Sequence, residues 1–108
     1  MKRFVRSAAR RDIQRQFRYY LVERDAPEVA LRFLDAVEEA LKTIGRDPAI
    51  GAPRSLANLP GLRSWPVPGF ENIGVYYVET PEAVRIIRIL HGRRDLGRIL
   101  AREDVSIQ

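Results

Sequence analysis

NIGVYYVETPEAVRIIRILHGRRDL, residues 72–96, reads as two strands, a tight connection and a basic tail hung on the second strand. Ile73, Val75 and Tyr77 alternate with Gly74, Tyr76 and Val78, and β-branched and aromatic residues of this kind fit a pleated, half-buried surface. Glu79–Ala83 (ETPEA) supplies the turn, with Pro81 unable to donate to any ladder. Over Val84–Leu90 strict alternation sets Val84, Ile86 and Leu90 on one face and Ile87 and Ile89 on the other. An antiparallel strand that is apolar on both sides is expected to be central and covered on each. Arg85 and His91 then share the second face and Arg88 interrupts the first. Charged and titratable groups on so apolar a strand need either partners or a task.

Working outward, Lys2–Arg6 forms a short first strand with Phe4 inward, and Ser7 is placed to cap a helix through its hydroxyl. Ala9, Ile13, Phe17, Tyr20 and Leu21 recur at helical spacing, with Arg10, Arg11, Arg15 and Arg18 mostly opposite. That helix ends near Glu23–Asp25. Pro27 suits the first turn of a second helix, where its missing N–H costs nothing. Val29, Ala30, Phe33, Val37, Ala40, Leu41 and Ile44 give this helix a wide apolar stripe, and Gly45 suits a left-handed cap at its end. So short a connection implies an antiparallel helical hairpin. Arg46–Leu59 is a Pro- and Gly-rich loop, Leu62–Val67 a further strand, and Pro68-Gly69 a turn into the strand at Ile73. After Gly92, Asp95 can cap a last short helix over Leu96–Arg102, and Ala101–Gln108 is a tail. The expected architecture is one α+β domain spanning the 108 residues, in the order β-α-α-β-β-β, with an antiparallel sheet against the hairpin. The first strand is expected to pair with the last or extend an edge.

A chain of this size holds one modest core. With no cysteine there is no disulfide scaffold, thiolate nucleophile or zinc–thiolate site, which fits a reducing cytoplasm. No apolar run is long enough to span a membrane and no signal-peptide core follows Met1. Net charge is +5, but its distribution says more: residues 1–24 carry +6, 25–47 carry −3, 48–83 carry −1 and 84–108 carry +3. If the ends meet in the fold, they make one positive surface. It is arginine-rich, 17 Arg against 2 Lys, and suited to two-point contacts with carboxylate or phosphate.

Three segments carry a family likeness: Ser7–Ile13 (SAARRDI), Gly61–Val67 (GLRSWPV) and Ile87–Leu96 (IRILHGRRDL). Together with the element order they resemble the ParE/RelE superfamily of toxins from bacterial type II toxin–antitoxin modules. The last block looks like the ParE branch. That resemblance implies a cytoplasmic toxin, without cofactor or metal, that poisons DNA gyrase and is neutralised by a cognate ParD-like antitoxin in a hetero-oligomer. The other branch, RelE-like, consists of ribonucleases that cut mRNA on the ribosome.

Metal-free RNA cleavage needs a proton acceptor, a proton donor and cations for the phosphate. The single histidine, His91, with Arg85 on its strand face and Arg63 across the sheet, is the one candidate set for it. RelE-like enzymes place a tyrosine or further basic residue beside that histidine, whereas Gly92 follows here and no Tyr or Lys lies beyond Val78. On the ParE reading, Arg93, Arg94, Arg88, His91 and Trp65 are candidate target contacts. Arg10, Arg11, Arg15 and Arg18 are candidate antitoxin contacts, along a groove suited to a partly acidic, partly apolar peptide that folds as it wraps. Arg88 is also a candidate for a buried ion pair with Asp12, Glu38 or Asp95, and Trp65 for a core position.

Overall fold

The computed structural model describes residues 1–92 and 96–103. Its elements are β1 (Arg3–Val5), α1 (Ser7–Arg18), a π-helical turn (Tyr19–Glu23), α2 (Pro27–Arg46), β2 (Ala52–Pro53), β3 (Arg63–Val67), β4 (Phe70–Glu79), β5 (Val84–His91) and α3 (Leu96–Leu100). The five strands form one sheet in the order β1-β5-β4-β3-β2. β1 runs parallel to β5 and the other pairs are antiparallel. The α+β architecture and the meander of β3, β4 and β5 match the expectation, and β1 does pair with the last strand. The two-residue strand β2 inside the long loop was not expected. It is too short to leave a periodic signal.

The helical hairpin covers one sheet face. Phe33, Val37, Ala40, Leu41 and Ile44 from α2 bury against Val75, Tyr77, Val84, Ile86 and Ile89, with Tyr20 and Phe70 packed at the margin. Tyr20, Phe33 and Phe70 meet with ring centroids 5.5–5.7 Å apart in tilted and edge-on geometry. The other face carries a smaller cluster of Leu59, Leu62, Tyr76, Val78, Ile87, Leu90 and Leu100, closed by the loop and α3. β5 is thus covered on both sides, as its two apolar faces demand. No helix among the described residues is long and apolar enough to cross a membrane.

Four local expectations are corrected. First, alternation along β5 is not strict: Tyr76 pairs with Arg88 and Tyr77 with Ile86, so Ile87 is an extra residue in a β-bulge. The bulge moves Ile89 onto the helix-covered face and Leu90 onto the other. Second, Ser7 does not cap α1. Its first residue follows Arg6, whose N–H donates to Ile86 O at 3.2 Å while its carbonyl accepts from Arg10 N at 3.0 Å. Pairing of β1 with β5 fixes where the helix begins. Third, Gly45 lies inside α2 without a left-handed φ. The Met1 amino group donates to its carbonyl at 2.9 Å, and a Cβ there would make only ordinary contact with the Arg3 side chain at 3.4 Å. Fourth, it is Val5 that joins the core beneath the helices. Phe4 lies on the opposite face of β1, half-buried, with the Arg85 guanidinium 5.1 Å over its ring.

Where the sequence placed turns by their chemistry, they are found. Pro68-Gly69 links Val67 to its partner Phe70, with Gly69 at φ +80° after a proline, the requirement of a type II turn. α1 passes into the π-helical turn, Ala26 N donates to Tyr20 O at 2.9 Å, and Asp25 takes the left-handed φ of +48° that reverses the chain.

Candidate functional site

Two features stand out: an apolar groove on the helical hairpin and an ion-pair cluster at the open edge of β5. The groove is formed by Ile13, Gln14, Phe17, Arg18, Leu21 and Val22 from the first helical arm and Leu34 from α2, enclosing about 540 Å³. Val22 is 65% and Leu21 40% exposed, and Leu31 on α2 adds another exposed apolar side chain. The reason is local. The apolar positions of the first arm make a stripe wider than the sheet can cover, and the π-helical turn rotates Tyr20 into the core while leaving Leu21 and Val22 outside. Arg10, Gln14 and Arg18 form one i, i+4 row on α1, so Arg10 stands one turn beyond Gln14 on the same helix face. Arg10, Arg11, Arg15 and Arg18 are all exposed. The sequence did not single out Leu31 and Leu34. Their signal is that both lie outside the stripe that α2 buries.

The cluster begins where β1 ends. β1 pairs only with Val84–Ile86, so beyond that point the edge of β5 is open, and α1 closes it with a carboxylate. Asp12 accepts from Ile89 N–H at 2.9 Å and from Arg88 Nε and Nη2 at 2.7 and 2.8 Å. Its side chain is 2% exposed. Arg15 approaches it from solvent at 3.6 Å. The hydrogen bond to Asp12, with the charges of Asp12 and Glu103, raises the Arg88 pKa above its ordinary value against the opposing effect of burial. Arg88 is therefore the ion pair that the sequence offered, with Asp12 as partner. Glu103 then reaches both Arg88 and Arg6. Neither Arg6 nor Glu103 was singled out from sequence, because neither lies in a periodic or motif context.

The remaining candidates scatter. Trp65 is half-buried against the helix-side core, opposite Val75. Arg63 donates to Gly51 O at 2.7 Å and Ala49 O at 3.2 Å, pinning the long loop. Tyr77 does the same from the core: its hydroxyl accepts from Gly51 N–H and donates to Pro48 O, both at 2.8 Å. His91 lines two shallow clefts at the far end of the same face, one with Tyr20, Phe70 and Asn72 and one with Gln16, Tyr19 and Arg24. Arg63 pairs with Tyr77 while His91 pairs with Ile73, which separates them by about 13 Å along the strands and about 10 Å across them. Arg85 stands on the other face, over Phe4. His91, Arg63 and Arg85 are not brought together. Arg93, Arg94 and Asp95 lie outside the described residues, as do residues 104–108. Among the described residues no group of three or more His, Asp and Glu side chains could hold a metal ion.

The model of the ParE toxin of the type II toxin–antitoxin system parDE matches residues 4–96. No curated protein matched the chain. Among solved structures, a chain described as the chromosomal ParDE TA system from P. aeruginosa superimposes with a TM-score of 0.64 at 21% identity, over 84% of this chain and 95% of that one. At that identity the likeness speaks for the shared fold. A family match running from β1 to the first residue of α3 covers every strand and both long helices, and on it this chain belongs to the ParE toxin family of type II toxin–antitoxin systems.

Proposed function

We propose that this ParE-family toxin is a cytoplasmic inhibitor of DNA gyrase and is neutralised by an antitoxin whose amphipathic, partly acidic segment docks on the hairpin groove. The observation that carries the reading is the groove itself: an exposed apolar channel with Arg18 in its lining, on a first helical arm whose Arg10, Arg11 and Arg15 are also exposed. An apolar channel with a cationic rim matches the apolar and acidic faces of such a helix. Family membership and the dispersal of His91, Arg63 and Arg85 support the gyrase target. A general acid–base pair must sit within hydrogen-bond reach of one substrate position, and these three side chains face different places.

The test sets two assays side by side. The purified toxin is expected to inhibit supercoiling by gyrase, to leave translated mRNA uncut in primer extension, and to lose its effect when the antitoxin is added. Cleavage of mRNA that disappears in His91→Ala would overturn the gyrase reading in favour of a ribonuclease.

A further inference from the structure

The side of α1 turned away from the hairpin groove is built unlike an ordinary solvated helix face. Ile13 and Phe17 line the groove. At about 3.6 residues per turn, Arg11 and Arg15 stand more than a quarter turn round the helix from both. They are exposed, Arg15 over 63% of its side chain. They also lie at i, i+4 spacing, where like charges destabilise a helix. The one carboxylate within α1, Asp12, is turned inward and taken by Arg88 and by Ile89 N–H. Arg15 reaches it at 3.6 Å, beyond the roughly 2.7–2.9 Å of a charge-assisted hydrogen bond. No acid stands in the first turn, where the helix dipole would favour one. α2 is the contrast: exposed Arg32 lies between Glu28 and Asp35, and exposed Lys42 follows Glu38 and Glu39. α2 balances its surface charge, and α1 does not.

The row continues past the end of the helix. Tyr19 follows Arg15 at i+4 spacing, its N–H donating to Arg15 O, and is 40% exposed. Beyond it lies the cleft that Gln16, Tyr19 and Tyr20 share with Arg24 and His91, about 330 Å³ in volume and with no carboxylate in its lining. Guanidinium, phenol, amide and imidazole groups of this kind can all donate to phosphate oxygens. The strip presents no aliphatic side chain, and that decides between partners. Exposed ion pairs with a protein's carboxylates contribute little, and protein interfaces draw their affinity from buried anchors. A polyanion needs no apolar surface, because each phosphate neutralised releases condensed counterions, more so for a duplex than for a single strand. The Tyr19 ring packs edge-on against Tyr20 with centroids 5.5 Å apart. It does not stand free as the platform on which single-stranded bases stack.

We propose that this strip, from Arg11 through Arg15 and Tyr19 to Arg24, is a contact surface for the phosphate backbone of duplex DNA. It is separate from the hairpin groove and does not depend on which enzyme the toxin inhibits. The test titrates the full chain onto a short fluorescent DNA duplex and follows anisotropy over a series of salt concentrations. With the guanidiniums of Arg11, Arg15 and Arg24 on phosphates, the logarithm of the association constant is expected to fall against the logarithm of salt with a slope of about −3. Combining Arg11→Gln with Arg15→Gln should flatten that slope by about 2 and weaken binding at low salt by at least about tenfold. Both side chains are exposed, so the thermal midpoint should stay where it is. Combining Arg32→Gln with Lys42→Gln removes the same charge from α2 and should leave binding unchanged. No binding at low salt, an equal loss in the two double variants, or tighter binding to a single strand or to duplex RNA of the same sequence overturns the proposal. If the Arg11 and Arg15 variant does not fold, Arg24→Gln at the far end of the strip carries the test. A slope flattened by about 1 supports the strip, and an unchanged slope overturns it.

Discussion

Arg88 shows how one side chain can be structural while looking functional. It sits on the most apolar strand of the chain, yet its guanidinium turns round the open edge of β5 to meet a carboxylate that is 2% exposed. Truncating it strands Asp12 as a buried unpaired charge, a change that costs about 3–5 kcal/mol. Since whole domains are stable by about 5–15 kcal/mol, Arg88→Ala is expected to lower the denaturation midpoint severely. Any loss of toxicity in Arg88→Ala should be accompanied by loss of folded protein in circular dichroism. Tyr77 makes a second case. Its buried hydroxyl satisfies Gly51 N–H and Pro48 O, and burial pushes its pKa above the ordinary tyrosine value, as it does for Tyr76. An acid with a raised folded pKa holds its proton longer when folded than when unfolded. Stability from these phenols is therefore intact below pH ~10 and falls as pH rises beyond it. Tyr77→Phe is expected to cost about 1–3 kcal/mol at neutral pH by leaving a buried N–H unsatisfied. It should also make the alkaline loss shallower, which chemical denaturation at pH 8 and at pH above 10 would register.

On the proposed docking mode, the helical hairpin is where stability and binding separate. α2 places Phe33, Val37, Ala40 and Ile44 in the core and leaves Leu31 and Leu34 outside it. Exposed apolar side chains of this kind contribute little to folding, and substitutions there typically change stability by less than about 0.5 kcal/mol. At the centre of an interface, anchoring side chains can be worth about 2 kcal/mol or more each. The double substitution Val22→Asp and Leu34→Asp is therefore expected to leave the thermal midpoint nearly unchanged. It should weaken antitoxin binding by at least about a hundredfold, measured by calorimetry. Unchanged affinity would move the antitoxin site off the hairpin. The π-helical turn belongs to the same element, for a regular α-helix would not present Tyr20 inward and Leu21 and Val22 outward in this way.

For the whole molecule the decisive fact is that the first described residues meet the last described ones. β1 lies beside β5, α1 closes the strand edge, and Glu103 returns to Arg6 and Arg88. The end-loaded positive charge is thus not all surface: two of its arginines are internal and matched by Asp12 and Glu103. Among the described residues, the arginines of α1 face solvent together with Lys2, Arg3, Arg24, Arg98 and Arg102. The order of the elements other than β2, the hairpin, the double-sided burial of β5 and the Pro68-Gly69 turn all follow from the sequence by itself, because periodicity, proline and glycine act over a few residues. The Ser7–Ile13 and Ile87–Leu96 segments also carried the family. Tertiary structure alone decided the rest. The bulge at Ile87 reversed the sides of Ile89 and Leu90, strand pairing drew the helix start back onto Ser7, the expected cap itself, and the fold separated His91 from Arg63 and Arg85. The convergence of Arg6, Asp12, Arg88 and Glu103 likewise joins positions from the two ends of the chain. No local pattern encodes such contacts; they exist only once the sheet has set its register and brought distant charges to one edge.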